Sequence, residues 1–175
     1  NVCAYKEKEA VILFGSLKKL FGGQEAAKHE ILAPVAGKAI PMSEVADPTF
    51  SQEILGKGVA VVPSEGKIAA PADGEVVVMF ETKHAVSLKT DFGAELIVHI
   101  GLDTVNLKGQ FFQAHVAQGD KVKAGDLLVE VDLEQVKAAG YDVTTPIIIC
   151  NTPSFPNMVC RSGMEVKALD PIITL

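Results

Sequence analysis

Apolar residues along this chain come in short runs cut by Gly, Pro and Asp, the pattern of strands and tight turns rather than of long helices. The pattern predicts strands over 31–40, 59–63, 75–80, 85–88, 95–100, 111–117, 127–131, 146–150 and 171–175. Helix is scarce. Its best case is 132–140, where Asp132 can cap the first turn, Gln135 can reach back as in a capping box, and Gly140 can end it. One phrase, Ala33-Pro34-Val35-Ala36-Gly37-Lys38-Ala39-Ile40, is echoed by Ala70-Pro71-Ala72-Asp73-Gly74-Glu75-Val76-Val77. In each copy a glycine follows the proline by three, as where a turn feeds a strand. That fits a duplicated β-unit, and convergent turn chemistry explains so short a match nearly as well.

Two Gly-Asp turns, Gly119-Asp120 and Gly125-Asp126, frame alternating apolar positions up to Val131. The phrase resembles the turn-rich half of biotinyl and lipoyl carrier domains, which also display a lysine at a hairpin tip, usually between methionines. Nothing like that follows Val131. The likeness therefore bears on β-architecture and not on a swinging arm. The expected fold is all-β, an antiparallel β-sandwich or barrel built on a duplicated hybrid-type unit with one or two short helices, occupying 31–175. Residues 1–30 read as a leader or linker, partly helical.

The segments 81–88 and 95–100 flank Thr90-Asp91-Phe92-Gly93 and read as one hairpin. With the turn centred on Asp91-Phe92, His84 falls directly opposite His99, with Cβ atoms about 5 Å apart. Two imidazoles so close suggest chemistry, because a neutral ring nitrogen is both nucleophile and proton acceptor near neutral pH. Three chemistries fit. His99 and Asp103 have the His-x-x-x-Asp spacing of some zinc peptidases, but the chain lacks the His-x-His pair those enzymes carry. Acid/base catalysis on a small molecule needs further substrate-orienting groups that the sequence does not display. Phosphoryl transfer needs little beyond in-line positioning and charge stabilisation. There His99 would take the phosphoryl group, His84 would donate a hydrogen bond to it, and Thr82 would orient His84 through its hydroxyl. Asp103, awkward beside a phosphate, suits an arginine of a docking partner. Against all three stands the plain reading of hydrogen-bonded core histidines.

Composition narrows the setting. In 175 residues, 48% hydrophobic, one substantial core can be buried. A net charge of −6 argues against a nucleic-acid partner and suits a basic protein partner. Cys3, Cys150 and Cys160 form no metal or disulfide pattern, so free thiols in a reducing, cytoplasmic setting are expected. No apolar run approaches the roughly 20 residues that span a bilayer. Residues 11–21 place Leu13, Leu17, Leu20 and Phe21 at helical spacing beside Lys18 and Lys19, a pattern able to lie weakly on an anionic membrane. The competing reading is a mobile leader.

The runs Phe80-Glu81-Thr82-Lys83-His84-Ala85 and Glu95-Leu96-Ile97-Val98-His99-Ile100-Gly101-Leu102-Asp103-Thr104-Val105-Asn106-Leu107-Lys108-Gly109 closely resemble the glucose-type IIA domain of the bacterial phosphoenolpyruvate-dependent sugar phosphotransferase system. The likeness extends to Asp47-Pro48-Thr49-Phe50, Gly56-Lys57-Gly58-Val59-Ala60-Val61 and Thr145-Pro146-Ile147-Ile148-Ile149-Cys150-Asn151. It implies a phosphohistidine relay. His99 would accept phosphate from the phosphocarrier HPr and pass it to a cysteine of the IIB domain of a sugar permease, with His84 and Thr82 in support and no cofactor required. It also implies that Asp47 and Asp103 meet a partner arginine, and that Phe50, Phe80, Ile97 and Val105 belong to the docking face. Of these apolar residues, Ile97 is expected to be the more core-like and Phe50 to sit in a loop. Family members also regulate target proteins according to phosphorylation state, and some bind zinc across a partner interface through the two matching histidines. Tethering to the membrane would then come through a transporter partner or fusion.

Overall fold

The computed structural model describes residues 28–175; the leader stretch 11–21 and Cys3 lie outside them. Strands dominate: β1 (Glu30–Leu32), β2 (Gly37–Pro41), β3 (Lys57–Pro63), β4 (Lys67–Ala69), β5 (Gly74–Met79), β6 (Ala85–Thr90), β7 (Glu95–His99), β8 (Phe112–Ala114), β9 (Lys121–Val122), β10 (Leu127–Val131), β11 (Thr145–Ile149), β12 (Val159–Cys160), β13 (Met164–Val166) and β14 (Pro171–Thr174). One sheet runs β13-β2-β3-β11-β7-β6-β5-β9, and two small sheets, β1-β14-β12 and β4-β10-β8, close over it. Every pairing is antiparallel. The all-β expectation holds.

The repeated phrase proves to be half of a duplicated unit. Leu32 N donates to Pro71 O at 2.9 Å and Ala69 N donates to Pro34 O at 2.7 Å, so equivalent positions of the two copies exchange bonds reciprocally. Strand pairing repeats in step. Glu30, Ile31 and Leu32 face Thr174, Ile173 and Pro171, while Lys67, Ile68 and Ala69 face Glu130, Val129 and Leu127, each ladder with one bulge. Gly37 opens β2 opposite Val166, and Gly74 opens β5 opposite Val122. The turns agree too. Lys123 N donates to Asp126 Oδ2 and Lys167 N to Asp170 Oδ2, both at 2.7 Å. Within these turns Gly125 (φ +95°) and Leu169 (φ +71°) occupy the same left-handed position. The second turn went unread because its left-handed residue is a leucine, which normally avoids that conformation.

Two other departures have equally local causes. The predicted strand 31–40 is two strands, because Ala33 N and Leu32 N leave the ladder to bond Asp170 O and Pro71 O. The hairpin β6–β7 turns through a three-residue loop, with Gly93 at φ +88° and Thr90 N bonded to Ala94 O. That shifts the register by one residue, so Ala85 lies opposite His99 and His84 lies just before β6. Phe92 at the loop tip stacks on His29, ring centroids 4.4 Å apart and planes 8° from parallel. His29 O also accepts from Leu175 N at 2.8 Å.

The main core is fully buried aliphatic packing from both small sheets and one face of the large one, including Ile31, Ile68, Leu88, Leu96, Val98, Ile147 and Ile173. A smaller cluster of Ile40, Met42, Val45, Phe50, Ala60, Leu102 and Ile148 forms on the large sheet's other face. Alternation along β3 and β11 separates them: Val59, Val61, Ile147 and Ile149 point one way, Ala60 and Ile148 the other. Gly58 lies on β3 against β11, a Cβ there falling 1.9 Å from Ile147 O. Gly58→Ala is therefore expected to cost about 3 kcal/mol in urea unfolding, since backbone rather than a pliable side chain must yield.

Candidate functional site

His99 ends β7 on the face that carries the smaller apolar cluster, two residues beyond Ile97, which pairs with Ile148. A helical turn, α1 (Pro48–Ser51), leans over it. Asp47 caps that turn, its Oδ1 accepting from Thr49 N at 2.8 Å, and Pro48 sits in the first turn where no amide is needed. The turn buries Phe50 and brings its ring 4.9 Å from that of His99, tilted by 56°. Beyond β7 the chain bends at Gly101 (φ +78°), so that Gly101 O accepts from His99 Nδ1 at 2.7 Å. A carbonyl only accepts, so Nδ1 carries the proton and Nε2 keeps a free lone pair.

His84 reaches His99 despite the shifted register. Lys83 at φ +57° turns the chain out of strand geometry, and the His84 and His99 rings meet edge to face with centroids 4.9 Å apart. Thr82 Oγ1 lies 2.6 Å from His84 Nδ1, within a turn that precedes β6, where the reading of 81–88 as one arm of the hairpin puts both residues on a strand. The clamp is closed from behind: Ile100 N donates to His84 O at 2.7 Å. His84 is buried, and burial together with the neighbouring His99 pushes its pKa down to about 4. Burial also holds His99 below the ordinary histidine value, opposed by the Gly101 carbonyl and by the carboxylates of Asp47 and Asp103. Both rings are thus neutral near pH 7, each with one proton and one lone pair.

The remaining residues singled out in the sequence frame this pair unevenly. Phe80, 38% exposed, meets His84 edge-on at 5.5 Å, and Val105 is 46% exposed on the turn Thr104–Leu107. Ile97 is half-buried and Phe50 only 4% exposed, so the expected order of burial is reversed. The reason is that α1 folds Phe50 down into the second cluster, a helical turn that the Pro-containing segment did not announce. Asp47 and Asp103 line an open groove of about 610 Å³ with Asn106, Tyr141 and Asp142, none of which the sequence had marked. Gly101 was missed as well, although a glycine two residues after a histidine is the signal for such a backbone bond. Among the described residues no group of three or more His, Cys, Asp or Glu side chains is placed to hold a metal ion, and Cys150 and Cys160 are free.

Residues 29–155 match the family model described as phosphoenolpyruvate-dependent sugar phosphotransferase system, EIIA 1. The chain belongs to that family. It is 50% identical over 159 residues to the beta-glucoside-specific EIIBCA component of Bacillus subtilis, covering 88% of this chain and 26% of that protein. It is 45% identical to the glucose-specific EIIA component of Halalkalibacterium halodurans, covering 86% and 92% of the two chains. The solved glucose permease IIA from Mycoplasma capricolum superposes with a TM-score of 0.78 at 38% identity, over 84% of this chain and 95% of that one. The chain thus spans about a quarter of its multi-component relative and nearly all of the single-component one. As an EIIA domain it is a phosphotransferase component with a β-rich fold, and no helix among its described residues is long and apolar enough to cross a membrane.

The depressed histidine pKa makes a pH prediction for this EIIA domain. Unfolded, the His84 ring binds a proton near 6.5; folded, it stays neutral down to about 4. Between those values protons favour the unfolded chain, so stability is full above about 6.5 and declines as pH falls towards 4. The thermal midpoint is expected to drop over that range, with a shallower slope in His84→Gln than in the parent.

Proposed function

We propose that this domain relays a phosphoryl group in sugar uptake, His99 Nε2 attacking the phosphohistidine of HPr and the group then moving to a cysteine of a IIB domain. The observation that carries the reading is the hydrogen bond from His99 Nδ1 to Gly101 O. It leaves Nε2 as the nucleophile, and the carbonyl dipole stabilises the positive charge that builds on the ring as the new N–P bond forms and the donor's N–P bond breaks. In the second step the His99 N–P bond breaks as the cysteine thiolate forms an S–P bond. No cofactor is needed, because donor, carrier and acceptor are all protein side chains.

His84 has the supporting part. With the Thr82 hydroxyl donating to its Nδ1, its single proton sits on Nε2 and can be offered to a phosphoryl oxygen on His99. Exposed Phe80 and Val105 with half-buried Ile97 form the apolar part of the docking face, and Phe50 underlies it. Asp47 and Asp103 face a partner arginine across the groove. Regulated target proteins that discriminate phosphorylation state would use the same face. The domain works at the cytoplasmic side of a permease, joined to it as a separate or a fused component.

Incubation with phosphoenolpyruvate, enzyme I and HPr is expected to add one acid-labile phosphoryl group by intact mass, and His99→Ala to abolish it. An adduct that survives His99→Ala, or none on the parent, overturns the reading. His84→Gln is expected to accept phosphate at close to the parent rate but to pass it to IIB at least about a hundredfold more slowly, the usual effect of removing one donor to developing charge. Normal onward transfer by that variant would remove His84 from the support role.

A further inference from the structure

Building on the reading that His99 accepts the phosphoryl group, we infer that Thr104 is the positioning residue that sets the His99 tautomer. The segment between them is four residues of which one, Gly101, supplies the decisive carbonyl, and a carbonyl on a bend is only as well aimed as the bend is fixed. Three contacts fix it. Thr104 Oγ1 donates to Ile100 O at 2.6 Å, Leu102 N donates to Asp142 O at 2.9 Å, and Ile100 N donates to His84 O at 2.7 Å. Two of these are backbone bonds that any residue would make. The Thr104 bond is the one that depends on a side chain.

Both branches of Thr104 act on the same peptide. Its side chain is fully buried, and its methyl Cγ2 lies 2.5 Å from where a Cβ on Gly101 would stand, so the methyl packs against the open face of the glycine while the hydroxyl holds the carbonyl just before it. With the Ile100 and Leu102 ends pinned, rotation about Gly101 is blocked and its carbonyl stays on His99 Nδ1. Released, Gly101 could swing away, Nδ1 would lose its acceptor, and the proton could pass to Nε2, removing the lone pair that attacks phosphorus.

Thr104→Val keeps the shape and deletes the donor; Thr104→Ser keeps the donor and deletes the methyl. In long-range nitrogen–proton NMR spectra the parent is expected to show His99 as the Nδ1–H tautomer, Thr104→Ser to keep that signature, and Thr104→Val to populate Nε2–H. Acceptance from HPr should fall about tenfold in Thr104→Val with the KM for HPr changed less than about twofold, and be restored in Thr104→Ser. A parent-like tautomer and rate in Thr104→Val, or equal loss in both variants, overturns the inference. Should Thr104→Val not fold, the parent decides: a Thr104 hydroxyl proton protected from solvent exchange supports the clamp, and a rapidly exchanging one overturns it. The tautomer needs no partner protein, so its outcome stays readable if the phosphorelay itself fails.

Discussion

A histidine in a mostly neutral setting can carry its one proton on either nitrogen, and only a fixed acceptor chooses between them. Here the acceptor is the Gly101 carbonyl, and most of what surrounds the site serves to hold it there. The bend at φ +78° needs a residue without a Cβ, because one would strike Thr104 and the Asp142 carbonyl. The loop carrying Asp142 anchors Leu102, and the turn just before β6 anchors Ile100 through His84. Hairpin, bend and loop are thereby locked into one assembly. His99, half-buried, sits at its edge.

That assembly also explains why two imidazoles tolerate each other's company. Were both rings charged, edge-to-face contact at 4.9 Å would be repulsive; kept neutral by burial, the two pack like aromatic side chains. Phe50 beneath and Phe80 beside them extend the same packing. The carboxylates of Asp47 and Asp103 work in the opposite sense on His99, offsetting part of the burial effect. For the proposed relay a moderately basic nitrogen is the suitable choice, since a carrier must take a group and then give it up. Strongly charged surroundings would favour one half of the relay at the expense of the other.

The histidine pair was legible because hairpins obey simple counting, and the contact between the rings survives although the register behind it was off by one. What the count missed was Gly93 at φ +88°, which lengthens the loop, and Lys83 at φ +57°, which swings His84 back toward its partner. The two departures compensate. The helix at 132–140 was also legible, appearing as α2 (Leu133–Ala138) with Asp132 accepting from Gln135 N, because its cap and stop lie within the segment itself. The burial of Phe50 was not, since it depends on a helical turn packing onto strands far away in the chain. The short strands β4, β9, β12 and β13 likewise take their identity from partners, not from their own residues.

The stack of His29 on Phe92 places the entry of the described chain at the tip of the β6–β7 hairpin, and Leu175, bonded to His29, brings its exit to the same pole. The histidine pair sits at the hairpin's other end, about 20 Å away along the strands. Any segment joined at either terminus is therefore leashed behind the working surface. In the proposed relay, a flexible tether would let the domain swivel to meet first a donor and then an acceptor without sweeping across the face that carries the histidine pair.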